Sequence, residues 1–461
     1  MSDRQLSSNY KIALFSSSFK SFKEAKELFI SNVEKLEIDV TFLASDNHSI
    51  KQEKFNELKL KSIVRKFHAL YHDAQLWHKR NLTIAYKLRA LSTFGSKTQQ
   101  IKSQNFMGLG FSHNYKIKNY FIRAIANKYC ISLLHIFIHQ LLFRFQYLIS
   151  DKSLFNFDAF IFLYGGRISA EEDFLIWVSN YKGIDSIAIQ ENWDNLSSKK
   201  FLFQHPKTFI TWGAQSTFHL RKFHNFRGEV RELGSLRLQQ FYQFESINRV
   251  VSSRVTSSTD EIIKNDVLKI LLIGTGDGTH DSDLLRSTLK FVSHLSAVAV
   301  KNYVFIYRPH PFTRNAIKND QLLEYKGKIV VEIPQLDESN SYRLNLLKEA
   351  SIVISLYSTV ILEASILNKV TIIPSFIAAK YEYSTYDFLY ESAHFMGLKS
   401  LNNLHNFATE IDYFNFLLNF TGIKPDKNRL SYVNFCCSNI DTSRELLQLL
   451  SEKAKEKNDM L

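Results

Sequence analysis

Residues 190–199 read QENWDNLSSK and follow the apolar run IDSIAI at 184–189. Two carboxylates, Glu191 and Asp194, stand there among amides, hydroxyls and Lys199, with only Trp193 and Leu196 apolar. A surface turn needs a Gly, Pro or Asn and little more. A carboxylate at the end of a buried strand can do chemistry: it takes a proton from a hydroxyl as a general base, or attacks an electrophilic carbon as a nucleophile. Asn195, Ser197, Ser198 and Lys199 add hydrogen-bonding groups around the two acids. The plainer alternative is a turn at Asp194 and Asn195 with Trp193 as packing.

Three other loops carry anion chemistry. GTGDGTHDSD (274–283) follows VLKILLI, and Gly274 and Gly276 let backbone N–H groups approach an anion closely. Its spacing is neither that of a P-loop nor GxGxxG. YRPHPFTR (307–314) follows YVFIY and holds His310 between Pro309 and Pro311, with Arg308 and Arg314 on either side. Proline fixes the loop, the arginines favour a phosphate, and the imidazole titrates near neutrality, so it can bind or protonate a leaving phosphate. In SLYSTVILEASILNKVTIIP (355–374) a strand gives way to a helix at Ser358 and Thr359, with Glu363 one turn in. The hydroxyls can cap the helix or contact an anion, and Glu363 can accept from both hydroxyls of a ribose. Arg167, after Gly165 and Gly166, ends another apolar run and is a further anion contact.

These loops need strands behind them. YKIALFSS (10–17), a helical KEAKELFISNVEKL (23–36) and IDVTFLAS (38–45) form a βαβ opening. The alternation resumes at FDAFIFLY (157–164), then SAEEDFLIWVSNYK (169–182), whose Ser169 and Glu172 form a capping box. After IDSIAIQ come TFITW, AQSTFHLRKF and EVREL, and then a polar, Ser-rich stretch. A second array begins at VLKILLI (267–273) and runs through YVFIY, KIVVEI, SIVISL and VTIIP to an amphipathic helix, TSRELLQLLSEKAKEK. The expected fold class is α/β, with two Rossmann-like domains facing each other across a cleft and ligands at the carboxyl ends of the strands. The boundaries read as 1–240 for the first domain, 241–266 for a linker and 267–461 for the second.

Composition agrees. The chain has 461 residues, 45% of them hydrophobic, enough for two cores. The three cysteines, Cys130, Cys436 and Cys437, offer no disulfide framework, and the N-terminus has no apolar run of signal-peptide length, so the expected location is cytoplasmic.

RPHP together with SLYSTVILEASILNKVTIIP resembles the nucleotide-binding half of GT-B glycosyltransferases of bacterial surface polysaccharide synthesis. The resemblance runs to the superfamily of Kdo transferases, polysialyltransferases and CDP-glycerol glycerophosphotransferases, and covers roughly residues 155–380. It implies that His310, Ser358 and Thr359 contact the donor's phosphate and that Glu363 holds the ribose, with the second domain gripping the nucleotide. Related transferases end a first-domain strand with a short acidic motif, usually two acids and a Gly. Here Glu191 and Asp194 are separated by Asn192 and Trp193 and no Gly follows, so either acid can be the match, with Asp194 preferred. Arg167, Trp193, Asn195, Ser197, Ser198 and Lys199 then line the sugar or acceptor side.

The resemblance also implies a CMP-linked acidic sugar, of Kdo or sialic type, as donor, a glycan or lipid-linked glycan as acceptor, and neither cofactor nor metal. CDP-glycerol or polyol phosphotransfer is the alternative within the superfamily, and a sugar-nucleotide epimerase shares the architecture. A non-catalytic reading starts from charge. The net charge is +13, and residues 51–150 hold 17 Lys and Arg against three acids. This block, of helical period in YFIRAIANKYCISLLHIFIHQLLFRFQYLI (120–149), reads as a basic helical insertion in the first domain. Such a block could bind nucleic acid, but no reading motif accompanies it and the polar strand-end loops would be unexplained. The expected partner is an anionic membrane surface, with the protein peripherally associated at the inner face of the cytoplasmic membrane.

Overall fold

A computed structural model describes residues 10–16, 38–45, 56–58, 64–65, 68, 129–165, 169–199, 202–244, 267–274, 278–296, 299–310, 328–334, 340–356, 358–379, 393–422 and 428–460. Arg167, Gly276, Pro311, the helix expected at 23–36, most of the basic block and nearly all of the expected linker lie outside the described residues.

The chain divides into two compact units, Met1–Gln239 with Ser392–His394 and Phe435–Leu461, and Gln240–Glu391 with Phe395–Asn434. Each is a parallel α/β unit, the two-unit architecture expected of the GT-B class. The first sheet joins β1 (Lys11–Ser16), β2 (Asp39–Ser45), β3 (Asn56–Leu58), β4 (Ala159–Tyr164), β5 (Asp185–Gln190), β6 (Thr208–Thr211) and β7 (Glu229–Glu232) in the order β3-β2-β1-β4-β5-β6-β7. The second joins β8 (Leu268–Ile273), β9 (Tyr303–Arg308), β10 (Ile329–Val331), β11 (Ile352–Ser355), β12 (Val370–Ile373) and β13 (Leu404–Asn406) in the order β10-β9-β8-β11-β12-β13. In both sheets the order reverses beside the first strand, at β1/β4 and at β8/β11. A crevice for a ligand opens at such a reversal, outside the carboxyl ends of the strands.

Parallel strands are buried on both faces, which is why β4 reads as an unbroken apolar run. Its residues still alternate. Phe160, Phe162 and Tyr164 join one core with Phe15, Phe174 and Trp177, whereas Ala159, Ile161 and Leu163 join another with Ile12, Leu14 and Ile187. The aromatic face is covered by helices α1 (Tyr129–Ile149) and α2 (Ala170–Lys182), through Phe143, Phe174 and Trp177. Helix α2 starts where Ser169 Oγ accepts from Glu172 N at 3.2 Å, as the capping box predicts. It stops at Gly183, whose φ of 75° is the left-handed region that glycine enters without a Cβ penalty. Helix α3 (Ala214–His224) joins β6 to β7.

In the second unit helices α4 (Gly278–His294), α5 (Asn340–Glu349) and α6 (Val360–Ile366) follow or precede the strands that carry the candidate loops. The C-terminal helix α7 (Thr442–Met460) departs from the sequence expectation of a second domain running to 461, because it belongs to the first unit. Leu446, Leu449, Leu450 and Ala454 fill the aliphatic face of the first sheet. Thr442 Oγ1 donates to Leu233 O at 2.6 Å and Gln239 Nε2 to Asp441 Oδ1 at 2.6 Å, fixing where the helix begins.

Candidate functional site

In the first unit β5 ends at Gln190, and the side chain of Gln190 organises the polar loop behind it. Its Nε2 donates to Asn192 O at 2.9 Å and to Trp193 O at 3.3 Å, while its Oε1 accepts from Trp212 N at 3.2 Å. Trp212 returns a bond, Nε1 to Gln190 O at 2.9 Å, so the loop is tied to the end of β6. Asn195 Nδ2 donates to Tyr164 O at 2.5 Å and ties it to the end of β4 as well. Residues 195–199 close in a single π-helical turn, a local form that often marks functional sites.

His224 fixes the far end of this loop. Its Nδ1 accepts from Leu202 N at 3.1 Å, which leaves Nε2 as the protonated nitrogen donating to Leu196 O at 2.8 Å. Trp193 is buried, and its indole N–H donates to Gln215 Oε1 at 2.6 Å. Asn195 and Ser197 are buried too, while Glu191 and Asp194 are half-buried. The side chains of Ser198 and Lys199 lie outside the described residues.

Two further residues touch this loop. His394 Nδ1 is 2.9 Å from Ser197 Oγ, its carbonyl accepts from Gln215 Nε2 at 3.1 Å, and its ring meets Trp193 edge-on at 5.5 Å. Arg237 Nη1 donates to Asn192 Oδ1 at 3.4 Å. His394 is 197 positions from Ser197 and has no motif around it, so only the tertiary fold brings it there. Arg237 carried a visible signal, a cation just after Gly234 and Ser235 at a strand end.

In the second unit the loops after β8 and β9 lie side by side. Gly274 N donates to Arg308 O at 2.8 Å, and a Cβ at Gly274 would stand 2.7 Å from His310 N, 2.7 Å from Asp281 Oδ2 and 3.0 Å from Pro309 Cα. Glycine is therefore required here for space. Asp281, in the first turn of α4, is fully buried and accepts from Tyr307 Oη at 2.9 Å, which uses one of its oxygens structurally. His310 is half-buried, and the guanidinium of Arg308 lies over the Tyr342 ring at 5.7 Å.

Across the β8/β11 reversal stand Ser358 and Thr359. Ser355 Oγ donates to Leu356 O at 2.7 Å, so the 3.1 Å bond between Ser355 and Ser358 uses the Ser358 proton. Ser358 Oγ also accepts from Val360 N at 3.3 Å, while Thr359 makes no side-chain capping bond. Glu363 is fully buried, with Oε1 3.2 Å from Arg343 Nη2 on α5, a partner that no motif pairs with it. Thus Gly274, Arg308 and His310 come together on one side of the reversal, and Ser358 and Thr359 stand on the other.

Substitution of Gly274 by Ala is expected to lower stability by about 1–3 kcal/mol, the usual cost of overpacking a filled site. The atoms that the methyl group meets are backbone of β9's end and a carboxylate already held by Tyr307, so none can swing aside. Urea denaturation of Gly274→Ala checks this, and an unchanged midpoint would show that the loop yields.

No protein-family model matches the chain, and no curated protein matches it. Among solved structures it is similar to the UDP-GlcNAc 2-epimerase of Methanocaldococcus jannaschii, with 10% identity and a TM-score of 0.48 over 96% of this chain and 99% of that one. It is also similar to MurG of Acinetobacter baumannii, with 9% identity and a TM-score of 0.46 over 96% of this chain and 99% of that one. A third similarity is to the wall teichoic acid polymerase TagF, with 13% identity and a TM-score of 0.47 over 97% of this chain and 90% of that one.

Proposed function

We propose that the chain is a glycosyltransferase that moves a CMP-linked acidic sugar, of Kdo or sialic type, onto a bacterial surface glycan. One observation carries this reading. The polar residues of the second unit gather at the carboxyl ends of β8, β9 and β11, on both sides of the strand-order reversal where such sheets take a nucleotide. The choice of CMP and of an acidic sugar rests on the resemblance of the RPHP and SLYST segments.

In this reading the second unit holds the donor. Gly274 lets the ends of β8 and β9 pass close together and so sets Arg308 and His310, which balance the phosphate's charge, while Thr359 donates a hydroxyl hydrogen bond and Ser358 does so by giving up its bond to Ser355. Asp194 of the first unit is the base: its carboxylate takes the proton of the acceptor hydroxyl as that oxygen bonds to the anomeric carbon. The bond from the anomeric carbon to the phosphate oxygen breaks in the same step, and CMP leaves with the electron pair. His310 stabilises the charge that develops on the departing phosphate.

Melting temperatures measured with CMP-, CDP- and UDP-linked donors test the reading. A ligand that binds only the folded state adds about 2.7 kcal/mol at a hundred times its Kd, so the CMP-linked donor should raise the melting temperature by several degrees and the UDP-linked donor should not. His310→Ala should abolish that rise. No rise with any of the donors would count against the proposal, and a rise with the CDP-linked donor alone would favour polyol phosphotransfer instead.

A further inference from the structure

Helix α1 is apolar on two sides, and only one of them is used by the core. Phe143, His139 and Gln146 are buried against α2 and its neighbours. Phe137, Leu141, Phe145 and Leu148, spaced by four, four and three residues, form the opposite face and are 60%, 47%, 53% and 72% exposed, with Ile149 beside them. This spacing puts them on one stripe of the helix. Tyr181 of α2, 55% exposed, extends the patch across a groove of about 350 Å³ between the two helices, with Trp177 at its floor. A helix that is apolar all round is normally covered, and contiguous apolar surface of this kind marks an interaction site.

Charge identifies what covers it. Helix α1 contains no acid and its one charged residue, Arg144, is exposed at the margin of the stripe. Lys152, three residues beyond α1, and Lys182, the last residue of α2, are exposed too, as is Asp151. The helix also closes the segment 51–150, whose 17 cations against three acids leave +14. A second copy seated on this face would set Arg144 and the neighbouring lysines against their own like charges, which opposes it. An anionic bilayer satisfies both features: apolar side chains enter the acyl boundary and cations meet the headgroups. No described helix is long and apolar enough to cross a membrane.

We infer that the exposed face of α1, extended by Tyr181, is a docking surface for an anionic lipid bilayer. The face lies on the outer side of helices that cover the sheet, and its test uses no donor, so it stands or falls apart from the transfer reaction.

Flotation of the full chain with phosphatidylcholine vesicles, with and without phosphatidylglycerol, is the experiment. The protein should float with the phosphatidylglycerol vesicles and be released by salt. Phe145→Glu combined with Leu148→Glu should weaken this at least about tenfold, since two buried side chains are lost and two anions gained. Arg144→Glu should weaken binding only to the anionic vesicles. Leu148→Ser alone, at the most exposed position of the stripe, guards against misfolding and should still reduce binding several-fold at an unchanged melting temperature. Failure of the wild type to float with phosphatidylglycerol vesicles, or equal binding by the wild type and the exposed-face variants, would overturn the inference. So would a dimer in sedimentation equilibrium that the double variant dissociates while no lipid is bound, which would give the face to a second copy.

Discussion

Replacing Asp194 with Asn should lower turnover by about 10²–10⁴-fold, the usual contribution of a positioned general base, while leaving the donor-induced rise in melting temperature intact. The amide keeps the shape of the side chain and its place in the loop but cannot take a proton. The turn has several anchors of its own. The turn that carries Asp194 is fixed by Gln190, by Asn195 on Tyr164, by His224 on Leu196 and by His394 on Ser197, and none of those bonds uses the Asp194 side chain. Glu191→Gln, made in parallel, separates the two acids. Full turnover in Asp194→Asn with loss in Glu191→Gln would move the base to Glu191, and full turnover in both would remove the carboxylate chemistry altogether.

Acid should destabilise the first unit through His139. Burial is the main reason that its imidazole is held at about 4 instead of the ordinary 6.5, with His68 adding to the depression and Asp173 opposing it. The ring packs 4.1 Å from Phe143 and 5.4 Å from His68, which in turn lies 2.6 Å from Asp173. His139 is thus neutral in the folded protein and takes up a proton readily only when unfolded. The stability it secures is complete above about pH 6.5 and is lost progressively as pH falls towards 4, amounting to about 3 kcal/mol over that window. Urea midpoints measured across it should fall with pH, and His139→Leu should remove that part of the slope. An identical slope in His139→Leu would mean that another group sets the acid sensitivity.

Much of the fold was legible because parallel strands buried on both faces leave continuous apolar runs, as at FDAFIFLY, and because Ser169 and Glu172 announce a helix start. The short strands β3 (NEL) and β13 (LHN) were not, since three residues of mixed polarity carry no period and owe their form to the neighbouring strand. Position in the sequence also misled: α7 follows the second array but its leucines fit the aliphatic face of the first sheet. Of the candidate site, the loops were legible as polar groups behind apolar runs. What those groups bond to was not. The Glu363–Arg343 pair, the seating of Trp193 on Gln215 and the arrival of His394 at Ser197 are tertiary contacts between residues without a shared motif. The steric need for Gly274 depends on how closely β9's end passes, which no local pattern records.

Transfer itself can be followed with the purified protein, a CMP-linked acidic sugar and a surface-glycan acceptor, by quantifying free CMP and glycosylated acceptor together. Equal amounts of the two, appearing only when the acceptor is present and lost in Asp194→Asn, are expected. Intact nucleotide-sugar in the presence of acceptor, or an isomerised nucleotide-sugar formed without it, would contradict a glycosyltransferase.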